Sequence, residues 1–333
     1  GATLNTNDSS VLAFTDSGEN GTIDPGTIFS VNGKVLVDKP NAKVTLQEAL
    51  RIDGDLEIQD QAQFVSTTLE LQDNLFLTNE DNSAPPAGAG KLTLDSKLDV
   101  GTGQAIVFEG DEYEVAGDDT LGTAIVDLKD NLSTGGNSND AIEVTSDLAF
   151  SGELDLRDGG INVQASNDLF PVGEDASIRR TFVSANPGSQ PDETDIDASG
   201  TFNSPGNGYD VTYAGGSGTV GSELTDDVVD LTVESGATAT LDGDFDVNGS
   251  LDVAGTIQDD GSSDRELDLA GDGNTHSITG AVNGGSNELT LLVSGDNQTI
   301  NGTTTPDGTT SDLGRVEFLQ VTGSGTTVSN IQE

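Results

Sequence analysis

Four aspartates, Asp242, Asp244, Asp246 and Asp252, stand among Leu241, Phe245, Val247 and Leu251. In an extended chain this alternation sends the acids to one face and the apolar residues to the other. Carboxylate oxygens held on a fixed face are donors that Ca²⁺ accepts. The order departs from an EF-hand loop, whose sixth-position glycine is Val247 here and whose twelfth-position glutamate is Val253. The row therefore reads either as a Ca²⁺ site or as a solvated acidic face. His276 is the single imidazole, so one chain cannot build a histidine metal cluster, and it is expected at an ordinary corner position. Arg179-Arg180 is the sole basic doublet, expected to pair with carboxylates of a neighbour or to offset local charge. Carboxylates are so abundant that the two-carboxylate arrangement of a glycosidase can be matched almost anywhere and identifies no site. No catalytic residue is assigned.

Composition narrows the classes. Asp plus Glu number 59 against 12 Lys plus Arg in 333 residues, a formal net charge of -47. Such a surface repels phosphate backbones and anionic bilayers, which excludes nucleic acid and membrane surfaces as partners. It also makes a poor site for an acidic polysaccharide. Like charges at this density push a fold apart at low ionic strength and are screened at about 1 M salt, which fits a saline setting. Cysteine, methionine and tryptophan are absent, so there is neither a disulfide framework nor a thiolate site. The chain opens Gly1-Ala2-Thr3 and carries no apolar run of about 18 residues, so an exported, secreted or cell-surface product without a membrane span is expected.

The elements that must position these residues show in the apolar spacing. From Val44 onward the apolar residues come in i, i+2 pairs: Val44/Leu46, Leu50/Ile52, Leu56/Ile58, Ala62/Phe64, Leu69/Leu71 and Leu75/Leu77. Pairs start six residues apart, with one step of seven. The pattern returns at Ile142/Val144, Leu148/Phe150, Leu154/Leu156 and Ile161/Val163, and again at Leu231/Val233, Ala237/Ala239, Phe245/Val247 and Leu251/Val253. A helix needs apolar residues at three and four, and a sandwich strand needs longer alternation before each turn. Short strands separated by frequent corners predict an all-β chain coiling as a β-solenoid. A longer repeat overlies the short one. Glu266-Leu267-Asp268-Leu269 returns 22 residues later as Glu288-Leu289-Thr290-Leu291, while Val293 and Thr299 match Val321 and Thr327 at 28.

Four parts are expected: an N-terminal β segment over 1–40, a first solenoid block over 41–165, an irregular Pro/Gly-rich insertion or small β module over 166–227, and a C-terminal block over 228–333. Asn32-Gly33 between Thr27–Val31 and Val35–Val37 predicts a hairpin. Thr45 to Leu50 has weak helical character, which the pair pattern overrides in favour of a strand.

The stretch Ser277-Ile278-Thr279-Gly280-Ala281-Val282-Asn283-Gly284, with Leu289-Thr290-Leu291 and Asn301-Gly302-Thr303-Thr304, resembles the repeats of autotransporter passenger domains and filamentous-haemagglutinin-like β-helices. Leu231 to Thr238 and Gly249 to Ile257 are similar. The resemblance covers roughly the last 110 residues and implies a surface-exposed β-helix with nothing catalytic. No membrane β-barrel is recognisable at the C-terminus, so it does not extend to self-transport.

The expected function is a non-enzymatic extracellular structural protein that self-associates into a filament, sheath or surface layer. Leu4, Val11, Leu12 and Phe14 at one end and Val316, Phe318, Val321, Val328 and Ile331 at the other are the expected assembly residues, since unpaired strand edges invite another chain. Residues 1–40 serve either as a donor strand to a neighbour or as a cap on their own chain. The alternatives are an adhesin or spike that binds a surface glycan and, after it, a β-helix polysaccharide-degrading enzyme. Adhesion calls for exposed aromatics, and Tyr113, Tyr209 and Tyr213 are the candidates.

Overall fold

The computed structural model describes residues 11–15, 21–23, 29–32, 34–38, 43–46, 50–53, 56–59, 63–66, 75–79, 90–94, 98–100, 105–110, 113–117, 120–128, 141–182, 196–198, 200–203, 208–283, 287–302, 315–316 and 318–329. Every regular element among them is a β-strand, most of three to five residues. The ladders of these strands are parallel, as in Val35 opposite Leu56, Ile142 opposite Ile161 and Leu231 opposite Leu251. No described residue is helical, as the i, i+2 pairing predicts.

The chain divides into two compact units, the first comprising 1–176 with 196–203 and the second 177–195 with 204–333. In the first, a strand pairs with the one three places later. Val11–Phe14 thus pairs with Lys34–Asp38, which pairs with Leu56–Gln59, while the strands between them join other sheets. The second unit follows the same rule in three sheets. One runs Ser177–Thr181, Tyr209–Ala214, Val228–Val233, Leu251–Val253, Thr275–Ile278, Thr299–Gly302, Thr327–Ser329. Another begins Ser217–Thr219, Thr238–Leu241, Thr256–Asp259, Ala281–Asn283. The third runs Phe245–Val247, Arg265–Leu269, Leu289–Val293, Phe318–Val321. One circuit is short of a strand. Between Ser217–Thr219 and Val228–Val233 the chain runs through Val220–Asp227 in turns, without a third strand.

The apolar pairs form the cores. Leu231, Val233, Leu251 and Val253 are buried in one sheet, and Leu267, Leu269, Leu291 and Val293 in another, each stacked on its equivalent in the next strand. In-register stacking of identical or similar side chains at about 4.8 Å lets two apolar residues per strand suffice for a dry interior. Corners are tight where strands turn. A Cβ on Gly280 would lie 1.8 Å from the Gly255 carbonyl oxygen, and one on Gly323 would lie 1.9 Å from that of Gly295.

Several expectations change. Phe29–Asn32 and Lys34–Asp38 do not form a hairpin: the first pairs in parallel with Leu50–Asp53 and the second with Val11–Phe14, so the two strands belong to different sheets. Lys43–Leu46 is a strand. Within 166–227, the strands Asp168–Pro171, Ile196–Ala198 and Tyr209–Ala214 pair in parallel with their neighbours. The 22-residue repeat is not the structural step. Leu267 lies opposite Leu291 and Thr275 opposite Thr299, a step of 24, whereas the 28-residue match does coincide with register at Val293/Val321 and Thr299/Thr327.

Candidate functional site

The aspartate row is split between elements. Asp242 is exposed in the turn after Thr238–Leu241, Asp244 is exposed just before Phe245–Val247, and Asp246 is half-buried within that strand. Asp252 is exposed on Leu251–Val253, which belongs to a different sheet and places it between Thr232 and Ser277. The acids that do crowd together come from neighbouring strands. Asp246 lies opposite Asp268, and Asp244 Oδ1 accepts the Glu266 backbone N–H at 2.9 Å. Partial burial, then the charges of Asp226 and Asp268, raise the Asp246 carboxyl above its ordinary range. Glu266 is raised by burial and then by Asp268, Asp244 and Asp246. Among the described residues no three His, Cys, Asp or Glu side chains converge as metal ligands.

Many carboxylates instead accept backbone hydrogen bonds from the next strand level, a use that composition conceals. Asp210 Oδ1 accepts the Asp230 N–H at 3.1 Å, and Asp230 Oδ1 accepts the Ser250 N–H at 2.6 Å. Asp272 Oδ1 accepts the Asp296 N–H at 2.7 Å, and Asp296 Oδ1 accepts the Ser324 N–H at 2.7 Å. Where a ladder ends, or where its register shifts as it does at Asp210 and Asp230, the N–H has no strand carbonyl, and an anionic acceptor satisfies it strongly. The Ser324 backbone and hydroxyl hold the Asp296 carboxyl below the usual carboxylate range. The signal for this in sequence is an aspartate recurring near the coil step, as Asp210 and Asp230 do.

The basic doublet is paired within the chain. Arg179 faces outward on Ser177–Thr181 and forks onto the Glu234 carboxylate, holding it below the usual range. Arg180, one residue on, points inward and is fully buried; its Nη1 donates to Glu223 Oε1 at 2.7 Å. Glu223 enters the interior from the turn-rich stretch that lacks a strand. Its Oε1 also accepts the Tyr213 hydroxyl and the Gly221 N–H, each at 3.0 Å, while the Tyr209 hydroxyl donates to its backbone carbonyl at 2.7 Å. Phe182 stacks on Tyr213 with ring centroids 5.1 Å apart, and the Arg180 guanidinium carbon lies 5.2 Å from the Phe182 centroid. Burial is the main cause raising both tyrosine hydroxyls, with Glu223 adding to it. Tyr209 and Tyr213 are therefore closed to a glycan, contrary to the expectation for them. Tyr113 lies on Tyr113–Gly117, and its side chain is outside the described residues.

His276 is also interior and lies within the strand Thr275–Ile278, not at a corner. Its Nδ1 accepts the Leu251 N–H at 3.1 Å, which places the ring proton on Nε2, facing Gln298 Oε1. Gln298 Nε2 then donates to the Leu269 carbonyl at 2.6 Å. Desolvation lowers the imidazole pKa, against smaller raising effects of Gln298 and Asp230.

Of the assembly residues, Leu4 and Ile331 lie outside the described residues. Val11 is 57% exposed, with Leu12 and Phe14 half-buried, on a strand at the edge of its sheet. Val316 pairs with Val282, and Phe318 lies opposite Thr290. Val321 and Val328, 43% and 40% exposed, lie on the edge strands Phe318–Val321 and Thr327–Ser329. No helix among the described residues is long and apolar enough to cross a membrane. No protein-family model, curated protein or solved structure matches the chain.

Proposed function

We propose that the chain is a β-solenoid of the extracellular, passenger-like kind that acts as a non-enzymatic structural element and joins to further copies of itself end to end. The recurrence of parallel ladders every third strand supports the coil. The observation that carries the function is the state of the last described strands. Among the described residues, Phe318–Val321 and Thr327–Ser329 are paired on one side only, and they expose Val321 and Val328 where the neighbouring strands bury Val293 and Ile300. Such an edge is a template for another strand, and an exposed edge without proline or an inward charge is the kind that pairs. Val11–Phe14, edge-placed and bearing exposed Val11, is the complementary strand. With a net charge of -47 the join requires salt, which shortens the Debye length to about 3 Å at 1 M.

Electron microscopy and sedimentation at low and molar salt test the reading. Fibres or concentration-dependent oligomers are expected in high salt, and their loss is expected in Val321→Asp/Val328→Asp and on deletion of residues 1–20. A wild-type chain that stays monomeric at high salt and high concentration overturns the proposal, as do fibres that form equally well from both altered proteins.

A further inference from the structure

The three sheets of the second unit differ in what they turn outward. The sheet containing Tyr209–Ala214, Val228–Val233 and Leu251–Val253 presents Asp210, Asp230 and Asp252 among its outward residues. The sheet containing Phe245–Val247 and Arg265–Leu269 presents Asp246, Glu266 and Asp268. The sheet of Ser217–Thr219, Thr238–Leu241 and Thr256–Asp259 presents none. Its outward residues are Ser217, Thr219, Thr238, Thr240, Thr256 and Gln258, while Ala239, Leu241 and Ile257 point into the core. Its one carboxylate, Asp259, is turned inward and 3% exposed, with Oδ1 accepting the Gly261 N–H at 2.7 Å.

Register lines these side chains into two straight rows. Ser217 lies opposite Thr238 and Thr238 opposite Thr256; Thr219 lies opposite Thr240 and Thr240 opposite Gln258. Neither ladder contains a bulge, so the face is regular, with rows repeating at about 4.8 Å. Gln258 Nε2 donates to Thr240 Oγ1 at 3.1 Å, along its row.

We propose that this hydroxyl face, whose three strands turn no carboxylate outward, is where two copies of the chain meet side by side, in a two-fold contact. The charge distribution selects the partner. A copy carrying 59 acids meets carboxylates opposite its own on either of the other two sheets, at separations inside the Debye length of about 8 Å at physiological salt. Among the described sheets of the second unit, only the hydroxyl face lets two such copies touch without that repulsion. Its chemistry is also self-complementary, since a hydroxyl is both donor and acceptor and each Thr adds a methyl group. A two-fold contact uses the same patch on both copies, so the central strand Thr238–Leu241 faces its own equivalent near the axis. Three short strands make a small patch, so a single contact is weak. Copies joined end to end would add such contacts along their length, and bundling is the consequence that rests on the self-association proposed above. The pairing itself does not need end joins.

The chain contains no cysteine, so single-cysteine variants report contacts without background. Thr240→Cys is compared with Ser277→Cys, which lies opposite Asp252, and Thr290→Cys, which lies opposite Glu266. Each is treated with a short bis-maleimide at physiological salt. Thr240→Cys is expected to form cross-linked dimer several-fold faster than either control, and adding Thr256→Glu to it is expected to abolish the excess. Equal rates at the three positions, or an excess that survives Thr256→Glu, overturn the proposal. Repeating the Thr240→Cys reaction in the Val321→Asp/Val328→Asp background separates the two readings. Cross-linking that persists there while fibres are lost shows side contacts independent of end joins; fibres in the parent without any Thr240→Cys excess refute the side contact alone.

Discussion

Two of the places where the interior of the second unit holds polar groups satisfy them by opposite means. Around Arg180 and Glu223 the groups form an ion pair: Tyr213 and the Gly221 N–H also donate to the Glu223 carboxylate, and Tyr209 to its backbone carbonyl, in the circuit that lacks a strand to supply apolar side chains. Around His276 the strands are complete and the groups neutral: a backbone N–H, an imidazole, a carboxamide and a carbonyl form one chain of donors and acceptors. The difference teaches what each site tolerates. A buried charge must keep its counter-charge, whereas a neutral relay fails only by the hydrogen bonds that are broken.

The largest effect is expected from breaking the ionic site on one side. Glu223→Ala leaves a buried guanidinium and is expected to cost about 3–5 kcal/mol in denaturant unfolding, whereas the double change Arg180→Met/Glu223→Leu is expected to recover most of it. A double variant as unstable as the single one would place the value of the pair in local shape and not in charge. At the corners, Gly280→Ala is expected to cost about 1–3 kcal/mol, because its Cβ meets the Gly255 carbonyl and the stack must open.

His276→Leu strands the Leu251 N–H and the Gln298 Oε1, at about 1–3 kcal/mol for a buried unsatisfied group. The pH dependence sharpens this. Desolvation lowers the folded-state imidazole pKa, so neutral His276 contributes stability that is complete above its ordinary value of 6.5 and is lost as pH falls through the lower folded value. The gap between wild-type and His276→Leu melting temperatures is therefore expected to narrow in acid. A gap independent of pH would show that the ring acts by shape alone.

The smallest effect concerns the acid stripe. Asp268→Asn relieves Asp246 and is expected to stabilise by a few tenths of a kcal/mol at low salt and by nothing measurable at 1 M. Asp246 and Glu266 have raised carboxyls, so their share of stability rises as pH falls through their folded values. Glu234 and Asp296 are lowered and act in the opposite sense, losing their contribution as pH falls through theirs. Melts at several pH values with Asp268→Asn and Asp296→Asn separate the two signs.

The sequence by itself determined the element type and the inward face of the paired apolar residues in most strands. The i, i+2 pairs at Ile142/Val144, Leu154/Leu156, Leu231/Val233 and Leu251/Val253 are buried as read, because a two-residue period needs only local backbone geometry. Register between coils was not local. Corner length varies, so Ile106 meets Ala124 after 18 residues while Leu56 meets Leu92 after 36, and the apparent repeat of 22 gave way to a step of 24. For the same reason the partners of Arg179 and Arg180, 55 and 43 residues away, were decided only by the tertiary structure. So was the burial of His276, Tyr209 and Tyr213. A polar residue in a strand turns inward only if the neighbouring coils bring its donors and acceptors to it, and which residues those are depends on how many residues each corner consumes.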